Sequence, residues 1–335
     1  MRSWSARLFP ARRRLWLLPV LLVSTLLALW INVAPVTHLT QPRASARVAH
    51  LPATAPFFKG QKIMILAPHP DDETLCCAGM IQQAQAAGAQ VYVTFMTSGD
   101  GFEFDAALVG RELRPGPQAF RQLAMNRMDE ARAAARVLQI PASHLSFLGY
   151  PDGGLLHLFL EHYAAPYLSP TSRLSQVSYD GTATPGHPYT GRNMELDLAA
   201  QIEVLNPDLV LVPAPQDAHA DHRATSYLAV RLMASRGQTS RLRFWVVHGG
   251  FEWPLPKGRH LNEPLTPPGR AVDLPWTRND LTPSQVLRKG EAIRAYRTQT
   301  VLLGRFMEAF ERRNELLSPS ALPPGPLGVR TSVQR

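Results

Sequence analysis

Short runs of consecutive apolar residues alternate along this chain with longer stretches whose apolar positions recur every three to four residues. Lys62–Ala67 is continuously apolar after its first residue, the pattern of a strand buried on both faces. Residues 91–96, 145–148, 209–212 and 242–247 are rich in β-formers and predict four more strands. Between them, residues 74–88, 118–139, 193–205 and 221–234 predict helices. The second of these sets Met128, Ala131, Ala135 and Leu138 on one face. Gly88 and Asn206-Pro207 act as stops. This alternation predicts an α/β fold, a Rossmann-like and mainly parallel sheet with helices on both faces. In such folds ligands collect beyond the carboxyl ends of the strands.

The flanking regions read differently. Residues 15–41 carry no charged side chain, and their apolar core of about 20 residues is long enough to cross a bilayer as a helix. Trp16 and Trp30 fall near its ends, and Arg2, Arg7, Arg12, Arg13 and Arg14 precede it. The expected organisation is a basic cytoplasmic segment (1–14), one N-terminal transmembrane helix (15–36), a linker (37–59), a domain over 60–316 and a Pro-rich disordered tail (317–335). The domain would then lie outside the cytoplasm, periplasmic or extracellular. A cleaved secretory signal is the alternative, and it exports the domain equally. Residues 149–190 and 250–282, rich in Gly, Pro and aromatics, read as long loops.

The formal net charge of +9 includes those five arginines, so the remainder is close to ordinary for a soluble domain. No basic stripe interleaved with aromatics appears, which argues against nucleic acid as a partner. Cys76 and Cys77 are adjacent and offer no disulfide framework; they read as small buried residues of a helix.

Two segments carry most of the chemistry, Pro68-His-Pro-Asp-Asp-Glu73 and His219-Ala-Asp-His222. Pro68 and Pro70 stiffen the turn after the first strand. Such a turn can aim His69 and Asp72 at one point, and imidazole nitrogen with carboxylate oxygen suits Zn²⁺. Two adjacent carboxylates do not easily point the same way, so one can ligate while the other faces the attacking water. Of the two histidines in the second segment, one can bind metal while the other serves as proton donor or oxyanion partner. Asp221 either caps the helix or orients a histidine. Glu73 is either a first-turn acid favoured by the helix dipole or a partner holding His69 or a backbone amide. Asp100 and Asp152, in Gly-rich loops at strand ends, meet substrate hydroxyls or hold turns. The remaining histidines, His248 among them, have no comparable setting. The loop aromatics Tyr150, Tyr163, Tyr167, Tyr179, Tyr189 and Trp253 either stack on sugar or pack their loops.

The paired motifs, in this order and roughly 150 residues apart, resemble those of the PIG-L/LmbE family of zinc-dependent N-acetylglucosaminyl deacetylases. Thr97-Ser-Gly-Asp-Gly101, Arg127-Met-Asp-Glu-Ala131, Leu148-Gly-Tyr-Pro-Asp-Gly-Gly-Leu155 and the segment from Lys289 to Tyr296-Arg-Thr-Gln299 add to the resemblance, which spans about residues 60–300. Ala220 stands where proline is common in the family. The resemblance implies that His69, Asp72 and His222 bind one Zn²⁺ per chain, for which iron or cobalt would be chemically similar. It implies Asp71 as the general base, and His219 as the group that stabilises the oxyanion or protonates the leaving amine. The implied substrate is N-acetylglucosamine in a glycan or glycolipid, hydrolysed to acetate and free amine. An amidase for a larger acyl group and a non-catalytic glycan-binding module are the rival expectations.

Overall fold

The structure is a computed structural model and describes residues 11–32, 41–250 and 253–324. Helices α1 (Ala11–Asn32) and α2 (Gln41–Ala49) come first. They are followed by β1 (Lys62–Ala67), α3 (Asp72–Ala86) and β2 (Gln90–Thr97). Next come α4 (Glu103–Gly110), α5 (Pro117–Val137), β3 (Leu145–Tyr150) and the short α6 (Leu155–Leu160). Then follow α7 (Gly191–Leu205), β4 (Leu209–Pro213), α8 (Ala220–Ser235) and β5 (Leu242–Trp245). The last described elements are β6 (Thr277–Asp280), α9 (Pro283–Ala295), α10 (Arg297–Glu308) and β7 (Asn314–Leu317).

The main sheet has the order β3-β2-β1-β4-β5 with every pair parallel. The chain enters at the centre, steps outward through β2 to β3, then returns to the other side of β1. By the right-handed rule for parallel crossovers, this strand order puts α3 and α5 on one face and α7 and α8 on the other. α9 packs on α3 and α5, while α6 packs on α7 and α8. Central β1 is sandwiched between these layers, and Ile63 to Ala67 are at most 1% exposed, as its unbroken apolar run predicts. The change of direction between β1 and β4 opens a crevice at their carboxyl ends.

A second, two-stranded antiparallel sheet pairs β6 with β7, Thr277 opposite Leu317. No local pattern announced these four-residue strands, which lie far apart in the chain. They correct two expectations at the flanks. Leu317 is a buried strand residue, and Ser318 exchanges backbone hydrogen bonds with Phe244 of β5, so the chain is ordered past 317; residues 325–335 lie outside the described residues. The expected linker over 37–59 is in part docked: Val48 is buried, and Arg278 donates to the Ala49 carbonyl. Residues 37–40 lie outside the described residues.

The expected transmembrane helix over 15–36 falls only in part within the described residues. Among the described residues no helix is long and apolar enough to cross a membrane, and residues 33–36 lie outside them. Helix α1 has Pro19 inside it and exposes Leu17, Leu18, Leu21, Leu22 and Leu26. Cys76 and Cys77 are buried in α3 as expected, but they are joined as a disulfide rather than unbridged.

Helix α3, which begins at Asp72, is held from behind by a buried ion pair. Lys289 Nζ and Glu315 Oε1 are 2.8 Å apart and both residues are fully buried. Glu315 accepts the Gly79 and Met80 N–H groups at 2.8 Å each, and Lys289 donates to the Leu75 carbonyl at 2.8 Å. Gly79 leaves room for Leu281, whose side chain a Cβ at position 79 would overlap. Lys289→Ala strands a buried carboxylate. It is expected to cost about 3–5 kcal/mol, read as a lowered midpoint in urea unfolding.

Candidate active site and metal centre

The turn after β1 concentrates charge. Asp71 is the N-cap of α3 and has φ of 132°, a left-handed value that costs a non-glycine residue energy. Its surroundings hold it there. Its N–H donates to Glu73 Oε2 at 3.2 Å, and its carbonyl accepts the Thr74 and Leu75 N–H groups. Arg127 donates to its Oδ2 at 3.2 Å and to the Pro70 carbonyl at 2.8 Å. Glu73 Oε1 in turn accepts the hydroxyls of Thr74 and Tyr296. Glu73 therefore supports the Asp71 backbone, which decides between its two readings. Burial pushes Asp71 up to about 8 against the pull of Arg127, and pushes Glu73 up to about 7.

Asp72 points the other way. Its Oδ2 accepts the His69 N–H at 2.8 Å and lies 3.2 Å from both His69 Nδ1 and His222 Nε2. Burial alone would raise its pKa, but the His222 and His69 imidazoles outweigh that and hold it well below the carboxylate range. Both ring nitrogens of His222 are buried without a hydrogen bond of ordinary geometry. Two imidazoles and a carboxylate facing one point fit a divalent cation such as Zn²⁺. Ring nitrogens of His69, His219 and His222 lie within 4.8 Å of one another, as do ligand atoms of Asp72, His222 and His248, and of His69, Asp152 and Asp221.

Loops from the neighbouring strands complete the wall. After β2, Gly99 takes φ of 76° and sits so close to Arg127 that a Cβ would lie 2.6 Å from its Nη1. Gly101 donates to Asp152 Oδ2 at 3.1 Å, and Asp152 Oδ1 stands 3.1 Å from His69 Nε2. Asp221 accepts the Gly153 and Leu155 N–H groups at 2.7 and 3.0 Å and reaches His69 Nε2 at 3.3 Å. Thus Asp221 orients His69 and ties down the loop after β3. The cap of α8 is His219 instead, whose Nδ1 accepts the Asp221 N–H at 3.2 Å. Burial and the neighbouring His69 and His222 charges lower His219 to about 4. For His222 burial opposes charge, but Asp217 and Asp72 raise it to about 9.

One cavity of about 330 Å³ is lined by His69, Asp71, Asp72, Arg127, Asp152 and His219. His222 and Asp221 lie behind that wall, fully buried. Asp100 is corrected as a substrate contact: it is fully buried behind Asp152, accepting the Asp152 N–H at 2.9 Å and the Tyr179 hydroxyl at 2.7 Å. None of the six loop aromatics lines the cavity; Phe102 and Phe306 do. His248 also lines it, contrary to expectation, with its ring 4.7 Å from that of His222. Its position just past the last predicted strand was the available signal. Arg127 and Tyr296, which the sequence marks only as motif members, and Asp217, which no motif marks, also hold site residues.

The histidines and carboxylates of this α/β protein thus converge beyond the strand ends, beside one small cavity. The chain belongs to the PIG-L family, whose GlcNAc-PI de-N-acetylase model matches residues 64–233. A curated relative, the diacetylchitobiose deacetylase of Thermococcus kodakarensis, is 23% identical over 185 residues, 54% of this chain and 52% of the relative. The chain thus spans about half the length of that relative. A solved structure of a conserved protein from Thermus thermophilus is 22% identical with a TM-score of 0.46, covering 81% of this chain and 98% of its own. The N,N'-diacetylchitobiose deacetylase of Pyrococcus horikoshii is 18% identical with a TM-score of 0.45, covering 85% and 93%.

The hydroxyl support of Glu73 is open to test. Tyr296→Phe removes one of two hydroxyls on Glu73 Oε1 and is expected to lower stability by about 1–3 kcal/mol. Urea unfolding reads this, and an unchanged midpoint would show that Thr74 alone suffices.

Proposed function

We propose that the chain is a metal-dependent N-deacetylase that hydrolyses the acetamide of an N-acetylglucosamine-containing glycan or glycolipid, releasing acetate and a free amine. The observation that carries this reading is the placement of Asp71 and His219 on one cavity wall, beside Asp72 suspended between two imidazoles. Family membership and the aminosugar named for the archaeal relative support it.

His69, Asp72 and His222 would hold the cation. A divalent ion bound there supplies Lewis-acid charge to water and to the acyl oxygen. The donor set favours Zn²⁺, and iron or cobalt would meet the same ligands. Asp71 takes the proton of the attacking water and can return it to the leaving amine. His219 spends Nδ1 on the Asp221 N–H, so the neutral ring carries its proton on Nε2. It serves as a donor to the acyl oxygen as charge builds, a contribution of roughly 3–4 kcal/mol. Arg127 holds Asp71 in place, and Asp152 faces the cavity where a sugar hydroxyl would sit.

We also place the domain outside the cytoplasm, because an uncharged stretch over 15–41 follows five arginines. Cell fractionation is expected to find it with the envelope or the medium; recovery in the cytoplasm overturns that placement.

Two measurements on the purified full-length protein test the chemistry. Asp71→Asn is expected to lower acetate release from N-acetylglucosaminides about 10²–10⁴-fold with bound metal unchanged. Loss of the metal instead would assign Asp71 to the cation. Chelation should abolish acetate release and Zn²⁺ restore it; turnover that survives chelation sinks the reading.

A further inference from the structure

We propose that Asp217 is a positioning residue that sets the orientation of His222 and couples it to the two other histidines past β4 and β5. The inference rests on the reading of His222 as a metal ligand. Asp217 lies in the loop between β4 and α8 and is fully buried. A buried carboxylate needs partners on both oxygens, and each partner here belongs to the site. Oδ1 accepts the His219 N–H at 2.9 Å. Oδ2 accepts the Val247 and His248 N–H groups at 3.0 Å each, and it lies 3.1 Å from His222 Nδ1.

His222 is thus suspended between two carboxylates, Asp217 at Nδ1 and Asp72 at Nε2. With Nδ1 facing Asp217, Nε2 is the nitrogen left to face a cation; a carboxylate behind a ligating imidazole fixes both its ring orientation and its tautomer. The same loop meets the exit of β5 a second time, where the Ala218 N–H donates to the His248 carbonyl at 2.9 Å. Asp217 therefore joins the cap histidine of α8, the candidate ligand one turn later and the cavity-lining His248. A side chain that only closed the loop would need the three N–H contacts and nothing at His222.

Asp217→Asn removes the charge beside Nδ1 and keeps one of the two acceptor oxygens, so at least one backbone N–H also loses its partner. In the full-length chain, Zn²⁺ affinity measured by chelator competition is expected to fall about 10–100-fold, with the apoprotein still folded but at a lowered urea midpoint. Affinity within twofold of the parent in a folded variant overturns the proposal. If Asp217→Asn does not fold, nitrogen NMR of the Zn²⁺-loaded parent decides. The His222 ring, assigned through its contact with Trp245, is expected to carry its proton on Nδ1 with Nε2 ligated; the opposite tautomer overturns the role. A parent chain that takes up no Zn²⁺ defeats the metal reading and this inference together. Equal binding by parent and variant defeats the positioning role alone.

Discussion

The constraint that organises this molecule is the burial of Asp72 between two imidazoles. A carboxylate removed from water is tolerable only if its oxygens are paired. Here one oxygen collects the His69 N–H and lies against ring nitrogens of His69 and His222. Those two residues arrive from opposite sides of the crevice, one after β1 and the other on α8. The contact therefore spans the point where the strand order changes direction, and the two halves of the sheet must be in register before it can form.

Around that contact each further charge is satisfied by a different strand exit. Arg127 from α5 neutralises Asp71 and approaches Asp152 at 3.6 Å, Asp221 holds the loop after β3, and Asp217 holds the exit of β5. The result is a wall in which chemically similar groups have different properties. Asp71 and Asp72 are neighbours in sequence, yet one is pushed up to about 8 and the other is held well below the usual range. The backbone at Asp71 makes the difference, because its left-handed turn sends the two carboxylates to different partners. This split is what a proton-accepting group beside a cation-holding group requires.

The support behind the wall is equally polar. Lys289 and Glu315 are buried where α3 meets α9 and β7, and Glu73 is buried under Asp71 with Tyr296. Both devices act on the first three turns of α3, the helix that begins at Asp72. The C-terminal elements thus contribute hydroxyl, amine and carboxylate contacts to a turn more than 200 residues earlier in the chain.

The order of the five main-sheet strands and of four helices between them was legible in the sequence, because each of those strands is a local run of β-formers and each of those helices a local periodicity; α9 and α10 were not. The turn of His69, Asp71 and Asp72 and the segment of His219 and His222 were legible too, since strand ends and proline-stiffened turns are written in consecutive residues. What consecutive residues do not encode is which side chains share a buried space. Asp100 and Asp152 have the same loop chemistry, but only Asp152 reaches the cavity, because Tyr179 and the Asp152 backbone occupy Asp100. His248 looked ordinary until the β5 exit was set beside α8. The β6–β7 pair and the Asp217 contacts likewise depend on pairings across long stretches of chain. Local pattern determined the elements and the principal ligand candidates; the tertiary structure decided the partners, because desolvation and pairing exist only once distant segments are packed together.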